Sequence, residues 1–281
     1  MAETYTENVF EERQVDGKHL CIGIDPVLSK DFEGSPVEAA TLLLESALLI
    51  AESTRDIAAA FKPNVAFFER YEGGYEAQRL IFEEIRDVAP GVPILWDTKR
   101  GDIGNTNKGY LSAAERMIVE GMTVSPYLGG TALKPILEHE GVVPFVLVKT
   151  SNPNSGEFQD LELKEGGVVW ERVASNVGHG EYWGSLPRGI VVGATYPEAI
   201  ARSRELAGDE VTILIPGVGT QGGDLEASVK GAANSRGTGY LINVSSGISQ
   251  PKDGNSNPLP ITSENIRAAA INFDQQIREA A

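Results

Sequence analysis

The chain has 281 residues, 41% of them hydrophobic, with 40 acidic against 24 basic side chains and a formal net charge of -16. That length can bury one large core, and that charge excludes a nucleic-acid partner, because phosphate backbones are read by basic stripes and none is visible. No run approaches the roughly 18 consecutive apolar residues of a membrane span, no basic targeting region opens the chain, and the single Cys21 sits in an apolar run as a core residue. The expectation is a soluble, cytoplasmic protein forming one domain over 1–281, and an anionic small substrate would need a locally positive pocket on its acidic surface.

In chain order, eight short apolar or β-branched runs recur, each ending in small, polar or charged residues: Leu20 to Asp25, Ala59 to Pro63, Pro93 to Lys99, Gly121 to Pro126, Pro144 to Thr150, Gly189 to Thr195, Val211 to Pro216 and Gly239 to Ser245. Helix-like segments separate them, with apolar residues at helical spacing in Pro36 to Thr54 and Tyr75 to Val88, then Asn107 to Glu120, and a last helix capped near Ser263 and running over Glu264 to Ala280. Nearly continuous apolar strands alternating with helices form a parallel sheet covered on its faces. Eight such units predict a (β/α)8 TIM barrel, with an open doubly wound sheet as the competing topology. Two connections are unusually long: an extended segment at 151–188, with a helix-like part around Gly166 to Val177, and a Pro/Gly/Asn-rich loop at 248–262.

A barrel of this kind builds its site from the carboxyl ends of its strands. The third run discharges Asp97, Lys99 and then Asp102 within a few residues, and strand alternation points Asp97 and Lys99 the same way. Such charges either neutralise one another as an ion-paired strand end or do chemistry. Lys62, held extended by the proline after it, lies one strand away and can reach both. Asp25, Ser151 and Asn152, Thr195, Pro216 and Ser245 complete a polar ring. After the seventh run, Pro216-Gly217-Val218-Gly219-Thr220-Gln221-Gly222-Gly223-Asp224 carries four glycines whose backbone can cradle a phosphate. His19, His139 and His179 share no metal-ligand spacing, so no metal site is expected, and no G-x-S-x-G elbow is present.

The motifs Asp97-x-Lys99-x-x-Asp102-Ile103-x-x-Thr106, Phe61-Lys62-Pro63-Asn64, Thr150-Ser151-Asn152-Pro153 and the glycine-rich run after Pro216 together resemble the orotidine 5'-phosphate decarboxylases, specifically their longer bacterial and archaeal subgroup. The resemblance implies a cofactor-free, metal-free homodimer with shared active sites that converts orotidine 5'-phosphate to uridine 5'-phosphate in pyrimidine synthesis. It further implies catalytic Lys62, Asp97 and Lys99, with Asp102 contributed by the partner subunit. Asp97 would face the substrate carboxylate and Lys99 would donate the replacing proton. Asp25 and Lys62 would hold the ribose, Ser151 and Gln221 the base and its link to the phosphate, and Thr106 would reach the neighbouring site. Pro216, Gly222, Ser246 and Gly247 would complete the substrate pocket, and Ser246 stands where the resembled pattern has a phosphate-binding arginine. Arg236 cannot easily replace it, because it precedes the eighth strand and so falls near the other end of the barrel. Two other readings are a magnesium-dependent sugar-phosphate decarboxylase or synthase with a similar Asp-x-Lys-x-x-Asp motif, and a nucleotide-binding barrel weakened in catalysis by Ser246.

Overall fold

A computed structural model describes residues 8–29, 32–184, 187–218 and 223–281. In chain order the elements are α1 (Val9–Val15), β1 (Leu20–Ile24), α2 (Pro36–Thr54), β2 (Ala60–Pro63), α3 (Val65–Glu69), α4 (Gly74–Val88), β3 (Leu95–Arg100), α5 (Gly104–Met117), β4 (Gly121–Val124) and α6 (Gly130–Leu137). There follow β5 (Val143–Lys149), α7 (Gly156–Gln159), α8 (Val169–His179), β6 (Arg188–Val192), α9 (Pro197–Ala207), β7 (Val211–Pro216), α10 (Leu225–Ala232), β8 (Tyr240–Val244), α11 (Ser246–Ser249) and α12 (Ser263–Ala280).

The eight strands pair in parallel in the order β2-β1-β8-β7-β6-β5-β4-β3. Bridges from Phe61 to Ile94 and from Asn64 to Asp97 join β2 to β3 and bring the sheet round on itself. The expected (β/α)8 barrel is therefore present, and the open doubly wound sheet is not. Alternation along the buried strands explains the two layers of core. Cys21, Ala60, Leu95, Phe145, Val191, Leu214 and Leu241 fill the barrel. Their neighbours Leu20, Ile22, Phe61, Trp96, Val146, Ile190, Ile213 and Ile242 face outward and pack under the helices.

Helix α1 has no counterpart in the periodicity reading, because seven residues give too little pattern to register. It seals the N-terminal end of the barrel. Phe10 is fully buried and meets Phe145 edge-on at 5.1 Å, while the Gln14 side-chain carbonyl accepts the backbone N–H groups of Gly239 and Tyr240. Arg236 lies at this end, paired with Glu11 and Glu210, as its place before β8 requires.

α4 begins one residue early, at Gly74, and α8 spans Val169–His179 where the expectation is Gly166 to Val177. Three further helix boundaries differ from expectation for evident local reasons. α5 begins at Gly104 instead of Asn107, whose buried side chain donates to the carbonyls of Asp102 and Ala132. It stops at Met117 instead of Glu120, because Ile118 takes a left-handed conformation with φ 52°. α12 is capped by Thr262, which accepts from Asn265, and Ser263 is its first residue. Both long connections carry structure. The 151–188 segment holds α7, α8 and a bridge from Glu162 to Val168, and the 248–262 loop closes a small hairpin through a bridge from Lys252 to Pro258.

Candidate active site

The carboxyl end of the barrel centres on Asp97. Its Oδ2 accepts from Lys62 Nζ at 3.1 Å and its Oδ1 from Lys99 Nζ at 2.7 Å, so one buried carboxylate is held between two ammonium groups. The Thr123 hydroxyl donates to the same Oδ1 at 2.8 Å and accepts the Lys99 backbone N–H at 2.8 Å. Thr123 is the residue that sequence reasoning missed. A lone threonine in Gly-Met-Thr-Val reads as an ordinary β-branched strand residue, and only the register of β4 against β3 puts it beside Asp97.

Asp97 and Lys99 do converge, but simple alternation is not the route. The pairing of β3 with β4 shifts register between Trp96 and Arg100, and Lys99 adopts φ 47°, a conformation that L-residues other than Asn and Asp seldom take. The bulge turns the Lys99 side chain half out of the protein, 51% exposed, while its ammonium stays tethered to Asp97. A strained backbone at the head of a charge array is where functional geometry is commonly stored.

Asp25 stands on the other side of Lys62. Burial raises its carboxyl above the usual range, and Asp97 adds to that, while Lys62, the Ser245 hydroxyl and the Asn64 backbone pull the other way. Burial alone would lower the Lys62 ammonium, but Asp97 and Asp25 reverse this and hold it above its ordinary value. Asp97 is likewise pushed up by burial and brought far below the carboxylate range by Lys62 and Lys99. Hence Lys62 and Asp97 hold each other in the charged form within the compact cluster they make with Lys99, and Asp25 is its least favourably placed member. Oδ1 of Asp25 is buried without a hydrogen-bond partner, an acceptor open to a ligand hydroxyl. Gly23 is required here, since a Cβ on it would lie 1.9 Å from Ser245 Oγ.

The other expected residues distribute unevenly around this centre. Ser151 follows β5 and lies against Gly193, where an added Cβ would come within 2.7 Å of its side chain. Two adjacent pairs pin the segment after it. Lys149 donates to Asp160 at 2.6 Å, and Gln159 exchanges hydrogen bonds with the backbone N–H and hydroxyl of Thr150. Pro216 ends β7, and Ser246 and Gly247 open α11 after β8. Gln221 and Gly222 lie outside the described residues. Asp102 does not join the cluster of its own chain: its Oδ1 accepts the Ile103 N–H and its backbone is tied to Asn107. Thr106 is exposed on the first turn of α5. Among the described residues no group of three or more His, Cys, Asp and Glu side chains is disposed to hold a metal ion, and no helix is long and apolar enough to cross a membrane.

Comparison with known proteins was made against this geometry. A family model described as orotidine 5'-phosphate decarboxylase / HUMPS family matches residues 18–257. The orotidine 5'-phosphate decarboxylase of Cupriavidus necator is 38% identical over 281 residues, covering 98% of this chain and 97% of the relative. That of a Roseiflexus species is 39% identical over 245 residues, covering 86% and 87%. Among solved structures, the Leishmania donovani OMP decarboxylase superposes with a TM-score of 0.79 at 31% identity, covering 97% of both chains.

Proposed function

The chain belongs to the orotidine 5'-phosphate decarboxylase / HUMPS family, and from that premise we infer that it decarboxylates orotidine 5'-phosphate to uridine 5'-phosphate in pyrimidine nucleotide synthesis. The observation that carries the reading at this site is the buried Lys62, Asp97 and Lys99 array at the carboxyl ends of β2 and β3. When the bond to the carboxylate breaks, carbon dioxide leaves and its bonding electrons stay on the ring carbon. A fixed ammonium beside that carbon stabilises the developing negative charge and then supplies the proton that replaces the lost group. Lys99 suits both tasks, being half-exposed toward the mouth of the barrel yet tethered to Asp97.

The ribose hydroxyls are assigned to Asp25 and Lys62, where the unpartnered Asp25 oxygen needs a donor. Ser151 and Gln221 are assigned to the base and its link to the phosphate. Pro216, Gly222, Ser246 and Gly247 are assigned to the phosphate end, in keeping with the phosphate sites that barrels form after their last two strands. No metal or organic cofactor enters this scheme.

We further propose a homodimer with shared sites, located in the cytoplasm. Asp102 turns away from its own array, and the neighbouring loops expose Ile103 at 61% and Tyr127 at 85%, apolar surface of the kind a second subunit covers. Mixing inactive Lys99→Ala and Asp102→Ala subunits should then restore activity toward about a quarter of the wild-type level, since random exchange leaves that share of sites intact. No recovery despite demonstrated exchange would favour a site within one chain.

A spectrophotometric assay of orotidine 5'-phosphate loss tests the function itself. Turnover is expected, and it should survive chelation of divalent cations; loss on chelation would favour the magnesium-dependent sugar-phosphate reading, and ligand binding without turnover the weakened binding barrel.

A further inference from the structure

A phosphate dianion must be bound here by a protein whose net charge is -16, and both lysines of the array already share Asp97. A further cation is needed at the phosphate end, and phosphate sites in such barrels form from the connections after β7 and β8. Arg236 is spent at the opposite end on Glu11 and Glu210, and Arg267 on Asp56.

A cavity of about 530 Å³ opens beside the end of β8, lined by Ser246, Gly247, Gln250, Lys252, Asn265 and Asn272 among others. Its lining contains one cation and no carboxylate. Two other cavities show how unusual that is in so acidic a chain: one is lined by Glu11, Glu12, Asp209 and Glu210, another by Glu115, Glu120 and Glu140. The polar part of the lining is Lys252, three amide side chains and the Ser246 hydroxyl, set among Pro251, Leu259, Ala268, Ala269 and Phe273. With no carboxylate against it, the one ammonium group makes this a cavity that can take an anion.

The local fold keeps the Lys252 charge available. Lys252 is exposed and makes no ion pair among the described residues. Its neighbour Asp253 is occupied inside the hairpin: Oδ1 accepts the N–H groups of Asn255 and Asn257 at 2.9 and 2.8 Å, and Oδ2 accepts the Asn257 side chain at 3.0 Å. The bridge from Lys252 to Pro258 fixes the backbone from which the side chain reaches.

We propose that Lys252 is the phosphate-recognition cation of this enzyme, delivered by the hairpin after β8 to the cavity it shares with Ser246 and Gly247. The inference rests on the decarboxylase reading and names the group that selects the phosphorylated nucleotide. It is tested by measuring the Michaelis constant for orotidine 5'-phosphate together with the dissociation constants of uridine 5'-phosphate and of uridine. Lys252→Ala should raise the Michaelis constant at least tenfold and reduce the preference for uridine 5'-phosphate over uridine by a similar factor, while Lys252→Arg retains most of that preference. Adding Ser246→Arg to Lys252→Ala should recover part of the loss, because residue 246 opens on the same cavity. Lys18→Ala, which removes an equal charge next to β1 at the sealed end, should leave the preference unchanged. An unchanged preference in Lys252→Ala, or an equal fall in Lys18→Ala, overturns the proposal. A wild-type chain that binds uridine 5'-phosphate no better than uridine overturns it as well. A wild-type chain that shows the preference but has no turnover instead removes the decarboxylase reading and leaves the role of Lys252 to the binding arms.

Discussion

The two ends of this barrel use the same strands and treat polar groups in opposite ways. At the N-terminal end Arg204 is buried, yet its guanidinium donates to the carbonyls of Ala232, Gly208, Val211 and Gly239. Burial lowers it to about 10, and it remains charged at neutral pH because that value lies well above 7. Gln14 is satisfied there in the same complete way. At the carboxyl end Asp25 and Thr195 each leave a buried oxygen unpartnered, Lys99 sits in a strained backbone, and two ammonium groups crowd one carboxylate. The sealed end has an orphan of its own in the neutral Tyr240 hydroxyl, so the contrast lies in the charged groups. At the sealed end the buried charge is satisfied within the chain, whereas at the carboxyl end a buried carboxylate oxygen is left for a donor from outside. Substitutions at the two ends should therefore separate stability from activity.

The largest separation is expected at Lys99. Lys99→Ala should reduce turnover by several orders of magnitude, each tenfold loss corresponding to about 1.4 kcal/mol of transition-state stabilisation. The thermal midpoint should change little, because the side chain is half-exposed and Asp97 keeps Lys62 and Thr123. Steady-state kinetics beside a melting curve checks both halves, and near-normal turnover with the fold intact would remove Lys99 as the proton donor.

The reverse separation is expected at Phe10. Phe10→Ala deletes a fully buried ring against Phe145 and should cost about 3–5 kcal/mol of stability. Turnover per folded molecule should stay close to wild type, since the ring lies at the sealed end. Chemical denaturation and kinetics below the new midpoint measure the pair of effects. A large fall in turnover with no loss of stability would show that the two ends are not independent in the way their hydrogen bonding implies.

The carboxyl end was the more legible of the two in sequence. A parallel barrel buries both faces of every strand, so its strands stand out as apolar runs, and the place where each run stops marks the carboxyl end of the barrel: Asp25, Lys62, Asp97, Ser151 and Pro216 all lie at strand ends read this way. What stayed hidden depends on register and backbone detail. Thr123 acts through the offset of β4 on β3, and Lys99 reaches Asp97 through a bulge and a positive φ that alternation does not contain. Helix α1 was hidden because its seven residues make sense only against Phe145, Gly239 and Tyr240, far along the chain. The pinning of Thr150 by Gln159 and of Lys149 by Asp160 is similarly a property of how the segment folds back.

The finest test of the contrast lies in Asp25, the one member of the cluster whose carboxyl is raised, chiefly by burial. A raised carboxyl contributes stability that is fully present below the unfolded value near pH 4 and is lost as pH climbs through the higher folded value. At neutral pH Asp25 therefore weighs against the folded state of the free protein, a cost that a bound hydroxyl on the orphaned oxygen would offset. Asp25→Asn removes that charge in nearly the same shape. The variant should melt slightly higher than wild type at pH 7, and the gap should shrink as pH falls toward 4. Asp97 cannot produce this trend, because its depressed carboxyl loses stability only below about pH 4, equally in both proteins. The same variant should bind uridine 5'-phosphate more weakly, since the amide offers one acceptor where the carboxylate offered two. Melting curves from pH 4 to pH 7, with and without uridine 5'-phosphate, separate the two effects. A variant that melts lower than wild type at pH 7 in the absence of ligand would show that Asp25 serves the fold, and the division between a self-sufficient end and a ligand-completed end would then fail at its most sensitive residue.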